Sequence, residues 1–202
     1  MNKTQLLQSL KQKGFSEQIL NAFESVKRED FIPQELTSNA YEDIPLPIGK
    51  GQTISQPYTI AMMLSLLSLQ KSQKVLEIGS GCGYVLALIS KIVGDNGEVF
   101  GVEIIKELAE KSRENLKDFK NIKVFSKSGM FGLKEKSPFN NILISAACEK
   151  IPDSLVSQLK DKGIIVAPVG PRHEQSLIAY QKINNKLIIQ KQIPGFIFVP
   201  FV

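Results

Sequence analysis

Two acids and a glycine-rich run have residue types and a spacing that could bind a nucleoside. Glu77 stands shortly before the run GSGCG at residues 79–83, and Glu103 follows about twenty residues later. Glycines let the backbone approach a ligand closely, and the free N–H groups at the start of a following helix attract it. An acid at the distance of Glu103 is placed to accept hydrogen bonds from ribose hydroxyls. The stretch therefore predicts a ligand that carries a nucleoside.

The elements that must position these residues form a β-α-β unit. Mostly apolar residues at 75–78 predict a strand, the apolar pattern of residues 85–93 predicts a helix, and residues 99–102 predict a second strand. The third glycine falls one position earlier than in the dinucleotide fingerprint. The carboxylate of Glu77 would also repel a diphosphate, whereas it would attract a sulfonium or an ammonium. A cationic cofactor is therefore favoured over NAD, and a tight structural turn in an ordinary α/β domain is the alternative.

Composition and charge limit the remaining classes. The chain has 202 residues, 43% of them hydrophobic and 22% charged, which suffices for one compact α/β domain with a sizeable core. Its net charge of +5 is carried by scattered lysines, so no nucleic-acid groove is expected. Cys82 and Cys148 suit a reducing cytosol, and with the single His173 they make a poor zinc site, so we expect no metal. Because no apolar run has transmembrane length and the N-terminus is no signal peptide, we expect a cytoplasmic protein without a membrane partner.

The rest of the chain alternates between helical and strand patterns. We predict an α/β, doubly wound, Rossmann-like fold with a mostly parallel central sheet, an antiparallel edge and N-terminal helices. Thr4 and Ser16 are predicted to begin the two N-terminal helices, and residues 31–56 to form an ordered loop over the ligand site. Further helices are predicted at 56–69, 106–119 and 152–160, and further strands at 122–125, 141–146, 163–169, 175–181 and 186–193.

Longer motifs indicate a family resemblance. The pattern strand-E-x-G-x-G-x-G resembles the first motif of S-adenosylmethionine (SAM)-dependent methyltransferases. The stretch AYEDIPLPIGKGQTISQPYTIAMML at residues 40–64 is similar to the signature of protein-L-isoaspartate O-methyltransferases, and the run GQTISQP within it is far more specific than the glycine motif. The resemblance continues through FNNILISAACEKIPDSLVSQLKDKGIIVAPVG from Phe139, then EQSL, and FVPF near the C-terminus. It covers nearly the whole chain from Arg28 onward.

The resemblance implies a repair enzyme. Members of the family use SAM to methylate the α-carboxylate of L-isoaspartyl residues in aged proteins and peptides, and S-adenosyl-L-homocysteine is the product. The methyl ester then cyclises to a succinimide, which reopens partly to normal aspartate. For this chain we expect a monomer with a single methyltransferase domain, 1–202. Residues 1–55 would supply N-terminal helices and an active-site loop, residues 56–170 the cofactor-binding core, and residues 171–202 strands that form part of the substrate site.

The resemblance also implies roles for individual residues. Ser55 is implied to be catalytic because its hydroxyl would position the substrate carboxylate, and a helix N-cap is the alternative role for this side chain. Residues 199–201 are implied to form a wall of the peptide pocket whose backbone pairs with the substrate, and an apolar tail that completes the core is the alternative. The implied substrate-binding residues are Thr53, Ile54, Gln56, Val199, Pro200 and Phe201. The implied cofactor-binding residues are Glu77, Gly79, Ser80, Gly81, Gly83, Glu103, Ser128 and Gly129.

Three positions depart from what the resemblance leads us to expect. Ser128 stands where the family usually has an acid that contacts the adenine amino group, and Asn140 replaces the acid that usually opens the fourth strand. We expect both changes to weaken cofactor binding, and we expect the added charge of Lys50 to favour an anionic substrate. The alternatives are a SAM-binding protein of the same fold with reduced or lost catalysis, a methyltransferase for another carboxylate, and a methyltransferase for small molecules or RNA. A dehydrogenase is the least favoured.

Overall fold

The computed structural model describes residues 1–201, so Val202, the last residue of the apolar tail and of the expected domain, lies outside the described residues. The strands are β1 (Leu46–Gly49), β2 (Gln52–Ile54), β3 (Lys74–Ile78), β4 (Glu98–Glu103), β5 (Ile122–Ser126), β6 (Phe139–Ile144), β7 (Leu159–Val169), β8 (Gln175–Ile183) and β9 (Lys186–Phe196). The helices are α1 (Lys3–Gln12), α2 (Glu17–Ser25), α3 (Pro57–Leu67), α4 (Tyr84–Val93), α5 (Lys106–Asn115) and α6 (Asp153–Gln158). No helix in this range is long and apolar enough to cross a membrane.

Seven strands form one sheet in the order β5-β4-β3-β6-β7-β8-β9. The first five pair in parallel, while β8 and β9 are antiparallel and meet at the predicted turn of Asn184 and Asn185, both of which have positive φ. The strand order reverses between β3 and β6, which is the point where open α/β sheets bind ligands beyond their carboxyl ends. The predicted fold class is confirmed.

Strand β3 is the middle one of the five parallel strands and separates two apolar clusters. Val75 belongs to the cluster that includes α1, α2, α3 and α4, whereas Leu76 and Ile78 belong to the cluster that includes α6. Because side chains alternate along a strand, Glu77 points to the same face as Val75, the face that α3 and α4 cover. The buried acid therefore lies beneath the glycine turn and not within the opposite cluster.

The structure corrects several predictions for the N-terminal half. Helix α1 is capped by Asn2 in a capping box with Gln5, so the cap at Thr4 is wrong: the Asn2 side chain reaches the free N–H of Gln5. Residues 31–56 are ordered, as expected, but they contain the β1–β2 hairpin, which the periodicity did not predict. Helix α3 has Gln56 at its N-cap and Pro57 in its first turn, without a side-chain cap bond. The N-cap role for Ser55 is therefore wrong.

Two later boundaries also differ from the predictions. Helix α5 ends at Asn115, four residues before the predicted end, because the chain must turn back to start β5. Asn121 fixes that return, since it accepts a hydrogen bond from Ser90 and donates one to the Gly94 carbonyl. Strand β7 begins at Leu159, directly after α6, and not at the predicted residue 163. An irregularity in its pairing with β6 accommodates the additional residues 159–162.

Candidate functional site

The glycine turn between β3 and α4 needs backbone that other residues rarely adopt. Gly79, Gly81 and Gly83 have φ of +77°, +51° and +88°, and Gly83 is the N-cap of α4. A Cβ at Gly83 would lie 2.5 Å from the Ser112 hydroxyl. The turn therefore presents its backbone amides at the carboxyl end of β3. Glycine is the only residue type that fits at position 83.

Glu103, at the carboxyl end of β4, holds this turn in place. Its side chain is buried, and its two oxygens accept hydrogen bonds from the N–H groups of Gly81 (2.8 Å) and Ile105 (2.9 Å). A carboxylate offers about four lone-pair positions, so two such bonds leave capacity for further donors. Glu103 lies where the sequence predicted a ribose-binding acid, and its binding role stays a prediction.

A cavity of about 110 Å³, which we call the central cavity, lies against this edge of the sheet. Its walls combine residues predicted for the cofactor with residues predicted for the substrate, although these are far apart in the chain. The cofactor group contributes Gly79, Gly81, Glu103 and Gly129, and the substrate group contributes Thr53, Val199, Pro200 and Phe201. The structure thus brings two separately predicted groups to one place.

Glu77 is a buried acid next to this cavity. One carboxyl oxygen accepts a hydrogen bond from the Ser145 hydroxyl (2.7 Å), and the other finds no partner within residues 1–201, as is also true of the Ser80 hydroxyl. Burial raises the pKa of Glu77 to about 8, with the negative charge of Glu103 adding to the rise and the Ser145 hydrogen bond opposing it. Buried polar atoms of native proteins are normally paired, so these two oxygens fit a polar group of a ligand.

Ser55 lies between two further cavities. It lines a small cavity of about 40 Å³ together with Glu77 and Ser80, and it also lines an outer cleft of about 630 Å³ between the start of α3 and residues 193–199. Of the described residues that line the outer cleft, none is charged. Ser55 therefore faces an uncharged entrance on one side and the polar atoms under the glycine turn on the other.

The remaining residues predicted for the substrate surround this junction. Thr53 lines all three cavities, Gln56 lines the outer cleft, and the buried Ile54 lines the small cavity. Hydroxyl groups and apolar side chains alternate along this segment, which suits an acceptor group that must be both oriented and shielded from water.

The C-terminal segment 199–201 closes the central cavity but uses one backbone edge internally. The Val199 carbonyl accepts from the Ala147 N–H, and the Phe201 N–H donates to the Ala147 carbonyl, both at 2.8 Å. The Phe201 ring packs close to Gly129, where a Cβ would lie 2.2 Å from a methyl group of Ile78. Pairing with a substrate backbone stays a prediction for the edge that faces away from Ala147.

The structure places the three departing residues differently from one another. Ser128 lies in the loop after β5, where its hydroxyl accepts from the Met130 N–H at 3.3 Å, and its predicted contact with the cofactor stays a prediction. Asn140 lies at the amino end of β6, where it accepts from the Lys74 N–H. Asn140 therefore lies at the end of the strands opposite the site and outside the central cavity, the small cavity and the outer cleft, and a weakening of cofactor binding by this residue stays a prediction.

Lys50 is the third of the departing residues. It occupies the tip of the β1–β2 hairpin, and its ammonium donates to Glu107 of α5 at 2.6 Å. The positive charge is therefore paired with an acid, and the expected help to an anionic substrate stays a prediction.

Sequence reasoning missed residues that the structure places at the site. Ser145, at the end of β6, lines all three cavities and binds Glu77. Ile48 of the hairpin lies over Gly81, where a Cβ would come within 3.1 Å of its terminal methyl group. Gly101, whose Cβ would lie 2.5 Å from Leu86, lets α4 and the glycine turn approach β4. A glycine inside a strand signals such an approach, whereas no pattern marks Ser145 or Ile48.

Comparison with known sequences gives a family for this arrangement. The model of the family described as protein-L-isoaspartate(D-aspartate) O-methyltransferase (PCMT) matches residues 1–202. A protein-L-isoaspartate O-methyltransferase of Methanothrix thermoacetophila is 42% identical, with 100% of this chain and 95% of the relative covered. A protein of the same name from Fervidobacterium nodosum is 41% identical, with 96% of this chain and 98% of the relative covered.

Solved structures agree with the sequence comparison. One protein-L-isoaspartate O-methyltransferase has a TM-score of 0.90 and 29% identity over 98% of this chain, which spans 65% of that longer chain. A proposed protein-L-isoaspartate O-methyltransferase from Plasmodium falciparum, in complex with S-adenosyl-L-homocysteine, has a TM-score of 0.87 and 27% identity, with 100% of this chain and 99% of that chain covered. With its motifs, its sheet order and these full-length matches, the chain belongs to the protein-L-isoaspartate(D-aspartate) O-methyltransferase family.

Proposed function

We propose that this chain transfers a methyl group from SAM to the α-carboxylate of L-isoaspartyl residues in aged proteins and peptides. The observation that carries the proposal is the central cavity, whose walls join the glycine turn and Glu103 to Thr53 and the segment 199–201. A family relative of full-length similarity was solved with S-adenosyl-L-homocysteine, the product of such a transfer.

The residues present fit this cofactor. Glu103 would accept hydrogen bonds from the ribose hydroxyls, and the unpartnered oxygen of Glu77 would bond the amino-acid end of the cofactor, whose ammonium would favour the ionised form of this acid. Gly129, which lines the central cavity, and the neighbouring Ser128 would border the adenine, and the amides of Gly79 and Gly81 would line the space between. When bound, SAM supplies an electrophilic methyl group on a sulfonium.

The chain's own residues would orient the acceptor. A carboxylate with a pKa near 4 is already ionised at neutral pH, so it needs no general base to become a nucleophile. The hydroxyls of Ser55 and Thr53 would donate to this carboxylate and hold one oxygen in line with the methyl group. Ile54, Val199 and Pro200 would exclude water around it. The proposed chemistry is therefore alignment, and it fits a site whose outer cleft carries no charged side chain among the described residues.

Several wider assignments belong to the same proposal. The protein would act as a monomer on isoaspartyl peptides and damaged proteins, within one domain made of the parts 1–55, 56–170 and 171–202. We also infer a reducing compartment, the cytoplasm, because Cys82 and Cys148 are both free thiols. Within residues 1–201, no group of three or more His, Cys, Asp or Glu could hold a metal ion, and the proposal uses none.

The test is methyl transfer from labelled SAM to a synthetic peptide that contains L-isoaspartate. The matched control is the same peptide with normal L-aspartate. Base-labile label on the first peptide alone is the expected result. If neither peptide is labelled while the protein is folded and binds S-adenosyl-L-homocysteine, the chain is a cofactor-binding protein without this activity, and the proposal fails.

A further inference from the structure

Arg28 is a fully buried charged side chain that donates hydrogen bonds to four backbone carbonyls within residues 40–55. One terminal nitrogen of its guanidinium donates to the carbonyls of Ala40 (2.8 Å) and Glu42 (3.2 Å). The other donates to the carbonyls of Ile44 and Ser55, both at 3.1 Å. Its exposed fraction is 0%. One side chain therefore fixes the backbone of the proposed catalytic residue.

The positions of these carbonyls define what the guanidinium holds. Ile44 and Ser55 stand just outside the paired residues Leu46 and Ile54, which close the open end of the β1–β2 hairpin. The nitrogen that donates to the carbonyls of Ile44 and Ser55 thus joins the segment that enters the hairpin to the segment that leaves it. The other nitrogen holds the turn that leads into it. Arg28 is consequently a clamp at the base of the hairpin.

The charge of Arg28 has no carboxylate partner at ion-pair distance among residues 1–201. Burial lowers its pKa from the ordinary value, while the nearby ionisable groups Tyr84, Cys82, Asp43 and Tyr41 act in the opposite direction. Burying a charge without an ion-pair partner is costly, and its hydrogen bonds to carbonyls, together with these nearby groups, offset that cost here. An apolar side chain would fill the space more cheaply but could hold no carbonyl. The arrangement therefore favours a role in fixing local geometry.

We propose that Arg28 is a positioning residue for the acceptor side of the site, by which we mean residues 45–56 and 193–199 around the outer cleft. Its guanidinium sets the Ser55 backbone so that the hydroxyl lies at the junction of the outer cleft and the small cavity. This inference rests on the proposed function. The cofactor side has its own anchor, because Glu103 holds the glycine turn without help from Arg28. A planar fork with several donors is needed for four carbonyls, and a lysine ammonium cannot reproduce it.

The experiment compares Arg28→Lys with the wild-type chain in three measurements. These are kcat and KM for an isoaspartyl peptide, the affinity for S-adenosyl-L-homocysteine by calorimetry, and amide hydrogen exchange. We expect kcat/KM to fall about 100-fold, because small displacements of positioning groups can cost that much. We expect affinity for S-adenosyl-L-homocysteine to fall much less than kcat/KM, by under about tenfold, since Glu103 still anchors the glycine turn although Ile48 of the hairpin lies over Gly81. Exchange should accelerate in residues 40–55 and not in α4 or β6.

Two controls separate positioning from general destabilisation. Arg113→Lys alters an exposed arginine that donates to the Val124 carbonyl, outside the hairpin, and should leave all three measurements unchanged. Ile92→Ala removes a buried side chain at the end of α4 away from the glycine turn, and should lower stability without changing kcat/KM. If Arg28→Lys does not fold, Arg28→Gln replaces it.

Each outcome decides between the positioning role and its rejection. Equal losses of activity and of S-adenosyl-L-homocysteine affinity, unchanged kcat/KM, or faster exchange throughout the chain would overturn it. So would failure of both Arg28 variants to fold with S-adenosyl-L-homocysteine present, because the residue would then serve the whole fold. A wild-type chain inactive on the isoaspartyl peptide would reject the proposed function, whereas the exchange result tests the clamp independently.

Discussion

The cofactor side and the acceptor side of the site are built in different ways. Most of the cofactor side lies within one continuous stretch, residues 75–103, to which the loop after β5 adds Gly129, and the bond from Gly81 to Glu103 joins the glycine turn to the end of the second strand of this β-α-β unit. The acceptor side combines residues 45–56 with residues 193–199, which meet only in the folded chain. The first side is encoded locally, and the second depends on tertiary contacts.

This difference suggests that the two sides can be altered separately. Glu103 anchors the glycine turn to the sheet, whereas the buried guanidinium of Arg28 anchors the hairpin that leads to Ser55. Neither anchor bonds the other's segment. Changes on the cofactor side should therefore affect cofactor affinity, and changes on the acceptor side should affect turnover.

The largest effect is expected for Glu103→Ala. This change leaves the N–H groups of Gly81 and Ile105 without their acceptor and removes the proposed ribose contact. Affinity for S-adenosyl-L-homocysteine should fall by about 100-fold or more, measured by calorimetry. The control is Glu98→Ala at the amino end of the same strand, whose carboxylate pairs with Lys74. An equal loss of affinity in both variants would contradict the role of Glu103 as the anchor of the glycine turn.

The second effect concerns Ser55→Ala. Because Ser55 makes no cap bond to α3, the change should leave the free energy of unfolding nearly unaltered. Loss of a hydrogen bond to a charged carboxylate should lower kcat/KM by about 10- to 100-fold, with affinity for S-adenosyl-L-homocysteine within about threefold. Ser65→Ala, on the exposed face of α3, is the matched control. If cofactor affinity falls as much as turnover, Ser55 does not belong to the acceptor side.

The same contrast explains which features the sequence could predict. The strands β3, β4 and β6 are short, apolar and buried, so their residue types alone indicate them. The glycine turn and Glu103 have a spacing that refers only to their own β-α-β unit. These parts of the site could therefore be predicted without knowledge of tertiary contacts.

The acceptor side could not be predicted from local patterns. Strands β1 and β2 have only four and three residues, and the prolines and glycines around them are typical of a loop. Ser145 reaches Glu77 across two neighbouring strands, and Arg28 reaches carbonyls up to 27 residues away. Only the family resemblance pointed to Ser55, because side-chain bonds over such distances leave no periodic signal.

A third prediction uses the buried acid of the cofactor side. In the unfolded chain Glu77 loses its proton near its ordinary pKa of 4.5, whereas burial raises the folded-state pKa to about 8. Between these values the folded chain binds more protons, so the contribution of Glu77 to stability falls as pH rises, by about 1.4 kcal/mol per pH unit. Glu77→Gln should remove this dependence. Urea unfolding at several pH values from 5 to 8 measures the free energy of unfolding of the wild type and of Glu77→Gln. If the two free energies change with pH in parallel, Glu77 is ionised in the folded state.

The smallest effect is expected at the tip of the hairpin, where Lys50 pairs with Glu107. Their side chains are 51% and 59% exposed, so solvent screens the pair, in contrast to the buried clamp at the base. The hydrogen bond from Lys50 lowers the pKa of Glu107, which should return toward its ordinary value in Lys50→Ala. We expect kcat/KM to change by less than about twofold, as in the control Lys71→Ala, which removes an exposed lysine far from the hairpin. A tenfold loss in Lys50→Ala alone would mean that the tip, and not Arg28, holds the hairpin over the site.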